Sequence, residues 1–190
     1  AVWCSYKYLN AGPGAVGGCF VHRRHGNARD LPRLAGWWGH DRKRRFLMEP
    51  EFVPLRGAEG WQLSNPPILG LAPLRASLDL FDRVGMRALR EKSLRLTGYL
   101  ESLIRERLAD TLDIVTPADP AQRGCQLSLR VIGGRGLSGR AAGRDLFDYL
   151  AANGVLGDWR EPDVIRISPA PLYNTHADVL RFAQAVEGWR

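Results

Sequence analysis

The sequence is short of several things. No apolar run approaches the roughly 20 residues needed to cross a bilayer, which excludes a helical membrane span. There is no collagen-like or coiled-coil period, no internal repeat and no low-complexity tract. Cysteine is scarce: Cys4, Cys19 and Cys125 are odd in number and irregularly spaced. That suits free thiols in a reducing cytosol better than a disulfide framework. The first residues lack an initiator Met, a basic stretch and a signal-type apolar core. Ala1-Val2-Trp3-Cys4 reads like the middle of a buried strand, so the expectation is a chain that begins inside a domain.

What is there suffices for a core. The chain has 190 residues, 45% of them hydrophobic and 25% charged. That size fits one ordinary domain, or a small domain plus part of a second, and the composition excludes disorder. Lys and Arg number 27 against 20 Asp and Glu, a formal charge of +7. Much of the excess sits in His22-Arg23-Arg24-His25 and Arg42-Lys43-Arg44-Arg45. Such patches attract nucleic acid, phosphate or carboxylates, or simply form a solvated surface.

The pattern divides the chain. The first 70 or so residues are rich in Gly, Pro and aromatics, with little helical period. Short strands are expected at Val2-Trp3-Cys4, Gly17 to Val21 and Phe46-Leu47-Met48, joined by structured loops. From residue 73 to 109 apolar residues recur at helical spacing, predicting a short helix, a break at Gly85 and a long amphipathic helix. Beyond it strands and helices alternate: Asp113 to Val115, Gln126 to Val131, a helix at about 141–153, Val164 to Ser168, and a last helix from Thr175-x-x-Asp178. That is a small α+β unit.

Several residues invite a chemical reading. Lys7 lies between aromatics and a small-residue turn, in Trp3-Cys4-Ser5-Tyr6-Lys7-Tyr8-Leu9-Asn10-Ala11-Gly12-Pro13-Gly14. Desolvation there would lower its pKa and make it a Schiff-base nucleophile; a snorkelling lysine at a strand end is the plainer reading. Tyr6 offers a phosphate contact or a proton shuttle, or is a core aromatic. The two converge on one ligand only if the strand ends there and the chain turns. In Gly36-Trp37-Trp38-Gly39-His40, a loop Trp can offer its indole N–H to an anion, and His40 can titrate or bind a partner group. Pro66-Pro67 stiffens the loop that carries Ser64 and Asn65 as placed donors, unless this is an ordinary turn. Arg166 stands in an otherwise apolar strand, where its guanidinium needs a carboxylate, from a substrate or from the chain. Cys19, His22 and His25 form no zinc signature, and Gly133-Gly134-Arg135-Gly136 is no dinucleotide fingerprint.

Four segments in series resemble the kynureninase family: Trp3 to Gly12, Gly36 to His40, Ser64-Asn65-Pro66-Pro67-Ile68, and Arg166-Ile167-Ser168-Pro169-Ala170-Pro171-Leu172-Tyr173-Asn174. The resemblance runs over essentially the whole chain. It implies an α/β pyridoxal-phosphate (PLP) transferase of fold type I with an α+β C-terminal domain. Residues 1–72 would be the C-terminal part of the PLP-binding large domain, 73–108 connecting helices, and 109–190 the small domain. It further implies hydrolysis of L-kynurenine, or 3-hydroxykynurenine, to the anthranilate and L-alanine in a cytoplasmic homodimer with shared sites. Lys7 would be the Schiff-base lysine and Tyr6 its phosphate-touching, proton-transferring neighbour. Trp37 and Asn65 would contact cofactor or substrate, Ser64 and His40 would neighbour the pocket, and Arg166 would hold the α-carboxylate. The family extends well before the lysine, so these residues alone are expected to bind cofactor poorly and to be inactive. The alternatives are a cysteine desulfurase or aminotransferase of the same fold type, and a non-catalytic basic binding fragment.

Overall fold

The computed structural model describes residues 1–190, which fall into two compact units, Ala1–Arg83 and Val84–Arg190. In the first, strand β1 (Val2–Trp3) pairs antiparallel with β2 (Gly18–Cys19). The Trp3 indole lies across Gly18, where a Cβ would fall 2.6 Å from the ring. β1 stops at Trp3 because the chain dives inward: Ser5 is buried and its hydroxyl donates to the Val16 carbonyl at 2.5 Å. A turn follows, with the Asn10 N–H donating to the Lys7 carbonyl at 2.9 Å and the Ala11 N–H to the Ser5 carbonyl at 3.1 Å.

Between β2 and residue 67 regular structure is limited to three short 3₁₀ turns, at Arg23–His25, Trp37–Gly39 and Gly57–Trp61. The strand expected at Phe46-Leu47-Met48 is absent. Asp41 caps a turn there by accepting from the Lys43 and Arg44 N–H groups at 2.9 and 3.2 Å. Arg44 then reaches forward to Glu49 at 2.6 Å and Glu51 at 3.1 Å, closing a loop whose apolar triplet is exposed. Helix α1 (Ile68–Val84) begins before residue 73 and carries Pro73 inside it. That proline removes one bond, to the Leu69 carbonyl, and Leu69 is 90% exposed, so water can replace it.

Near the start of the second unit Gly85, with a φ of +78°, breaks the helical run as expected. Helix α2 (Met86–Arg107) buries Leu89, Leu96, Leu100, Leu103 and Ile104 along one stripe. Strands β3 (Leu112–Ile114), β4 (Leu127–Val131), β5 (Asp158–Arg160) and β6 (Val164–Ile167) form one antiparallel sheet in the order β3-β4-β6-β5. Strand alternation sends Leu127, Leu129, Val131, Ile165 and Ile167 into the core, and Ser128, Arg130 and Arg166 to the other face. Helices α3 (Gly139–Ala152) and α4 (His176–Trp189) complete the core with Leu146, Leu150, Phe182, Val186 and Trp189. Each such large apolar side chain contributes about 1.5–3 kcal/mol on burial. The Thr175–Asp178 capping box starts α4, and α3 stops at Asn153-Gly154. Strand β5 was not among the expected elements. No helix is long and apolar enough to cross a membrane.

Candidate functional site

The Lys7 turn is held from both sides. Below it, Ser5 and Ala11 take the buried positions. From α1, the Ser77 hydroxyl donates to the Leu9 carbonyl, and Phe81 packs on the Tyr8 ring at 5.8 Å. With those places filled, Tyr6 and Lys7 turn outward, and the Lys7 Nζ stands 5.4 Å from the Tyr6 ring centroid. The condition for the two to share a ligand is met: the strand ends and the chain turns. The apolar enclosure expected around Lys7 is not found within this chain, because its side chain is exposed. Lys7 makes no ion pair or side-chain hydrogen bond.

The tryptophan and Ser-Asn-Pro-Pro segments meet. Gly36 and Gly39 press against the 60–63 stretch: a Cβ on Gly36 would fall 2.3 Å from the Leu63 Cα, and one on Gly39 2.7 Å from the Gln62 carbonyl oxygen. Trp37 is left half-exposed with its ring edge-on to Phe46 at 5.5 Å. Trp38 lies under the Arg45 guanidinium at 4.6 Å, and Arg45 also donates to the Trp38 carbonyl. Ser64 and Asn65 are exposed and lead through Pro66-Pro67 into α1. The first turn of α1 approaches the loop beyond Lys7, since a Cβ on Gly70 would lie 4.0 Å from the Gly14 carbonyl. Helix α1 thus carries the Lys7 turn along its side and the Asn65 loop at its start. The 300 Å³ depression beside Trp37, His40 and Phe52 does not include Tyr6, Lys7, Ser64 or Asn65.

His40 is held inside the tryptophan loop. It is buried, its ring stacks on Phe52 at 5.6 Å, and its Nδ1 accepts from the Val53 N–H at 2.9 Å. The Val53 carbonyl already accepts from the Asp41 N–H at 2.8 Å. The Nδ1 also lies 3.0 Å from the Val53 carbonyl, so these contacts make His40 a fastener of the tryptophan loop. The Arg42-Lys43-Arg44-Arg45 run is largely occupied internally, with Arg42 on Glu59 at 3.1 Å, Arg44 on two glutamates and Arg45 on Trp38. The three thiols are free; burial pushes the Cys125 thiol up.

In the second unit Arg166 has a partner from the chain. Register places Asp158 directly across β5–β6 from Arg166, and the Asp158 Oδ2 accepts from Nε and Nη2 of Arg166. Arg160 adds its Nε at 3.0 Å. Burial pushes the Asp158 carboxyl up, but the hydrogen bonds from Arg166 and Arg160 outweigh it and hold it below the usual carboxylate range. Sequence reasoning missed Asp158 because it missed β5. It also missed Ser77, whose only signal was a small polar residue on the apolar face of a helix.

A family model described as the kynureninase C-terminal domain matches residues 89–186, more than half of the chain. The chain belongs to the kynureninase family. Kynureninases of Xanthomonas oryzae pv. oryzae and Stenotrophomonas maltophilia are 69% and 68% identical over 189 residues. The chain spans 43% of the length of these relatives. Among solved structures, the apo cysteine desulfurase of Thermococcus onnurineus NA1 superposes with a TM-score of 0.64 at 14% identity, covering 88% of this chain and 41% of that one. The cysteine desulfurase CsdA of Escherichia coli gives 0.60 at 19%, covering 83% and 38%. A C-DES mutant with glycine covalently linked to the PLP cofactor gives 0.56 at 16%, covering 80% and 37%. The fold expected from the kynureninase-like segments, α/β of fold type I with an α+β C-terminal part, is the fold found.

Proposed function

We propose that this kynureninase-family protein is a PLP-dependent hydrolase that cleaves the Cβ–Cγ bond of L-kynurenine or 3-hydroxykynurenine, releasing the anthranilate and L-alanine. The observation that carries the reading is 69% identity to the kynureninase of Xanthomonas oryzae pv. oryzae over 189 residues.

The Lys7 turn fits the cofactor. An exposed amine with no ion pair, on a turn fixed from two sides, is what a carbon–nitrogen bond to an aldehyde requires. Lys7, Tyr6, Trp37 and Asn65 would hold PLP. Once bound, PLP supplies an electron sink that lets the substrate's α-hydrogen leave as a proton. Lys7 would hold the cofactor, and its Nζ would carry that proton. Tyr6, beside it, meets the phosphate and passes protons through its hydroxyl. Arg166 grips the α-carboxylate. Ser64, Asn65 and Trp37 orient the substrate, and His40, its Nδ1 engaged by Val53, neighbours the pocket.

In this reading the protein is a cytoplasmic homodimer in which some site residues serve the neighbouring subunit. Its domains follow the sequence division: 1–72 in the large domain, 73–108 connecting, 109–190 the small domain. The test is incubation with PLP, borohydride reduction and peptide mass spectrometry, followed by a fluorescence assay for anthranilate. Pyridoxyl label on Lys7 with anthranilate release is expected. Label on Lys7 with sulfur release from cysteine, or amino transfer, and no anthranilate would replace this reading by a desulfurase or aminotransferase.

A further inference from the structure

The Arg166 guanidinium is gripped along one edge. Asp158 takes Nε and Nη2, and no other side chain or carbonyl of the chain hydrogen-bonds the Arg166 guanidinium. Three features build this arrangement into the fold. Asp158 and Arg166 are direct cross-strand partners, and the neighbours Ile165 and Ile167 are buried, so the backbone carrying Arg166 is fixed. β5 runs close over β6 because Gly157 immediately precedes it, where a Cβ would meet Ile165 and Ile167 at 3.0 and 3.2 Å. Asp158 is itself held, by Arg160 on the same strand at 3.0 Å. An arginine side chain otherwise samples many rotamers. Gripped along its Nε edge, it has its Nη1 hydrogens and one on Nη2 still available, a donor pair shaped for a carboxylate.

We infer that Asp158 is a positioning residue for Arg166: it fixes the guanidinium by one edge so that the other edge is preorganised for a substrate carboxylate. The inference rests on the reading of Arg166 as the carboxylate-binding residue. Asp158 touches neither substrate nor cofactor. It acts by removing rotamer freedom that binding would otherwise have to remove, so its loss weakens carboxylate binding selectively.

The test measures binding of L-alanine and of L-alaninamide, which lacks the carboxylate, to the PLP-loaded protein by titration calorimetry. Asp158→Asn is expected to weaken L-alanine about tenfold and to leave the amide within about twofold. Asp158→Glu keeps the charge on a longer arm and falls between, about threefold weaker for the acid alone. KM for kynurenine rises by a similar factor while kcat holds within about twofold. Should Asp158→Asn not fold, the acid-selective loss in Asp158→Glu decides alone. Equal loss for acid and amide overturns the inference, as does unchanged binding. Tighter alanine binding in Asp158→Asn also overturns it and makes Asp158 a competitor of the substrate. Arg166→Met separates this from the underlying reading. If it loses alanine and Asp158→Asn does not, only the inference about Asp158 fails. If Arg166→Met binds alanine normally, Arg166 is not the carboxylate residue and both fail.

Discussion

Gly36 and Leu63 stand so close that a Cβ on Gly36 would lie 2.3 Å from the Leu63 Cα. This contact joins the tryptophan loop to the Ser64–Asn65 loop. Gly36 has extended backbone angles, φ −139° and ψ 139°, that any residue can adopt. The need for glycine is therefore one of space alone. Gly36→Ala is expected to destabilise by about 1–3 kcal/mol through overpacking. Thermal unfolding followed by tryptophan fluorescence checks it. An unchanged midpoint would mean that the two loops separate freely.

Ser77 is the peg under the Lys7 turn. Its hydroxyl is the donor that reaches the Leu9 carbonyl, 68 residues away in sequence. Ser77→Ala is expected to cost about 1 kcal/mol. It should also slow pyridoxyl labelling of Lys7 relative to the unmodified chain, since the turn is then held from one side only. Chemical denaturation and the labelling rate read the two effects separately.

Tyr6 and Lys7 are expected to separate by their variants. Lys7→Ala removes the borohydride-fixed pyridoxyl label altogether. Tyr6→Phe retains the label but lowers kcat for kynurenine about 10²–10³-fold, the range of a lost proton-transfer group. A Tyr6→Phe protein with full turnover would leave Tyr6 as packing only.

The second unit carries an acid-sensitive pair. Arg123, only 4% exposed, donates to Glu101 at 2.6 Å, and Arg105 adds a second contact at 2.8 Å. The Arg123 hydrogen bond holds the Glu101 carboxyl below its ordinary value of 4.5, against the opposing push of burial. A carboxyl depressed in the folded state stabilises above its unfolded value and loses that contribution as pH falls through the folded one. Stability of this unit should therefore decline below about pH 4.5. Glu101→Gln should flatten that decline and cost on the order of 2 kcal/mol at neutral pH. That lies below the roughly 3–5 of a fully enclosed pair, because Glu101 keeps some solvent access. Unfolding midpoints across pH 3–7 measure both.

The second unit was more legible in the sequence than the first. Leucines at helical spacing, alternation from Leu127 to Val131, Gly85 and the Thr175–Asp178 box each describe a local cause, and the elements formed where those causes lie. β5 left no such trace: Asp158-Trp159-Arg160 is three residues long with charged ends, and it exists because β6 supplies an edge. Phe46-Leu47-Met48 has a strand's composition, but Asp41 and the Arg44 ion pairs bend it into a loop. In the site, the Tyr6–Lys7 turn could be anticipated from its small residues. The fastening of His40 to Val53 and of Arg166 to Asp158 could not, because both depend on pairing between separated segments.

The unpaired amine of Lys7 has a practical consequence. Nearly all the cationic surface is guanidinium: of 27 basic residues only Lys7, Lys43 and Lys92 are lysines. Within these residues amine-directed dyes, crosslinkers and sensor-chip couplings therefore have three side chains to choose from, and Lys7 is among the exposed ones. Attaching the protein through its amines would tend to cap the group under study. Coupling through the exposed thiol of Cys19 leaves that amine untouched.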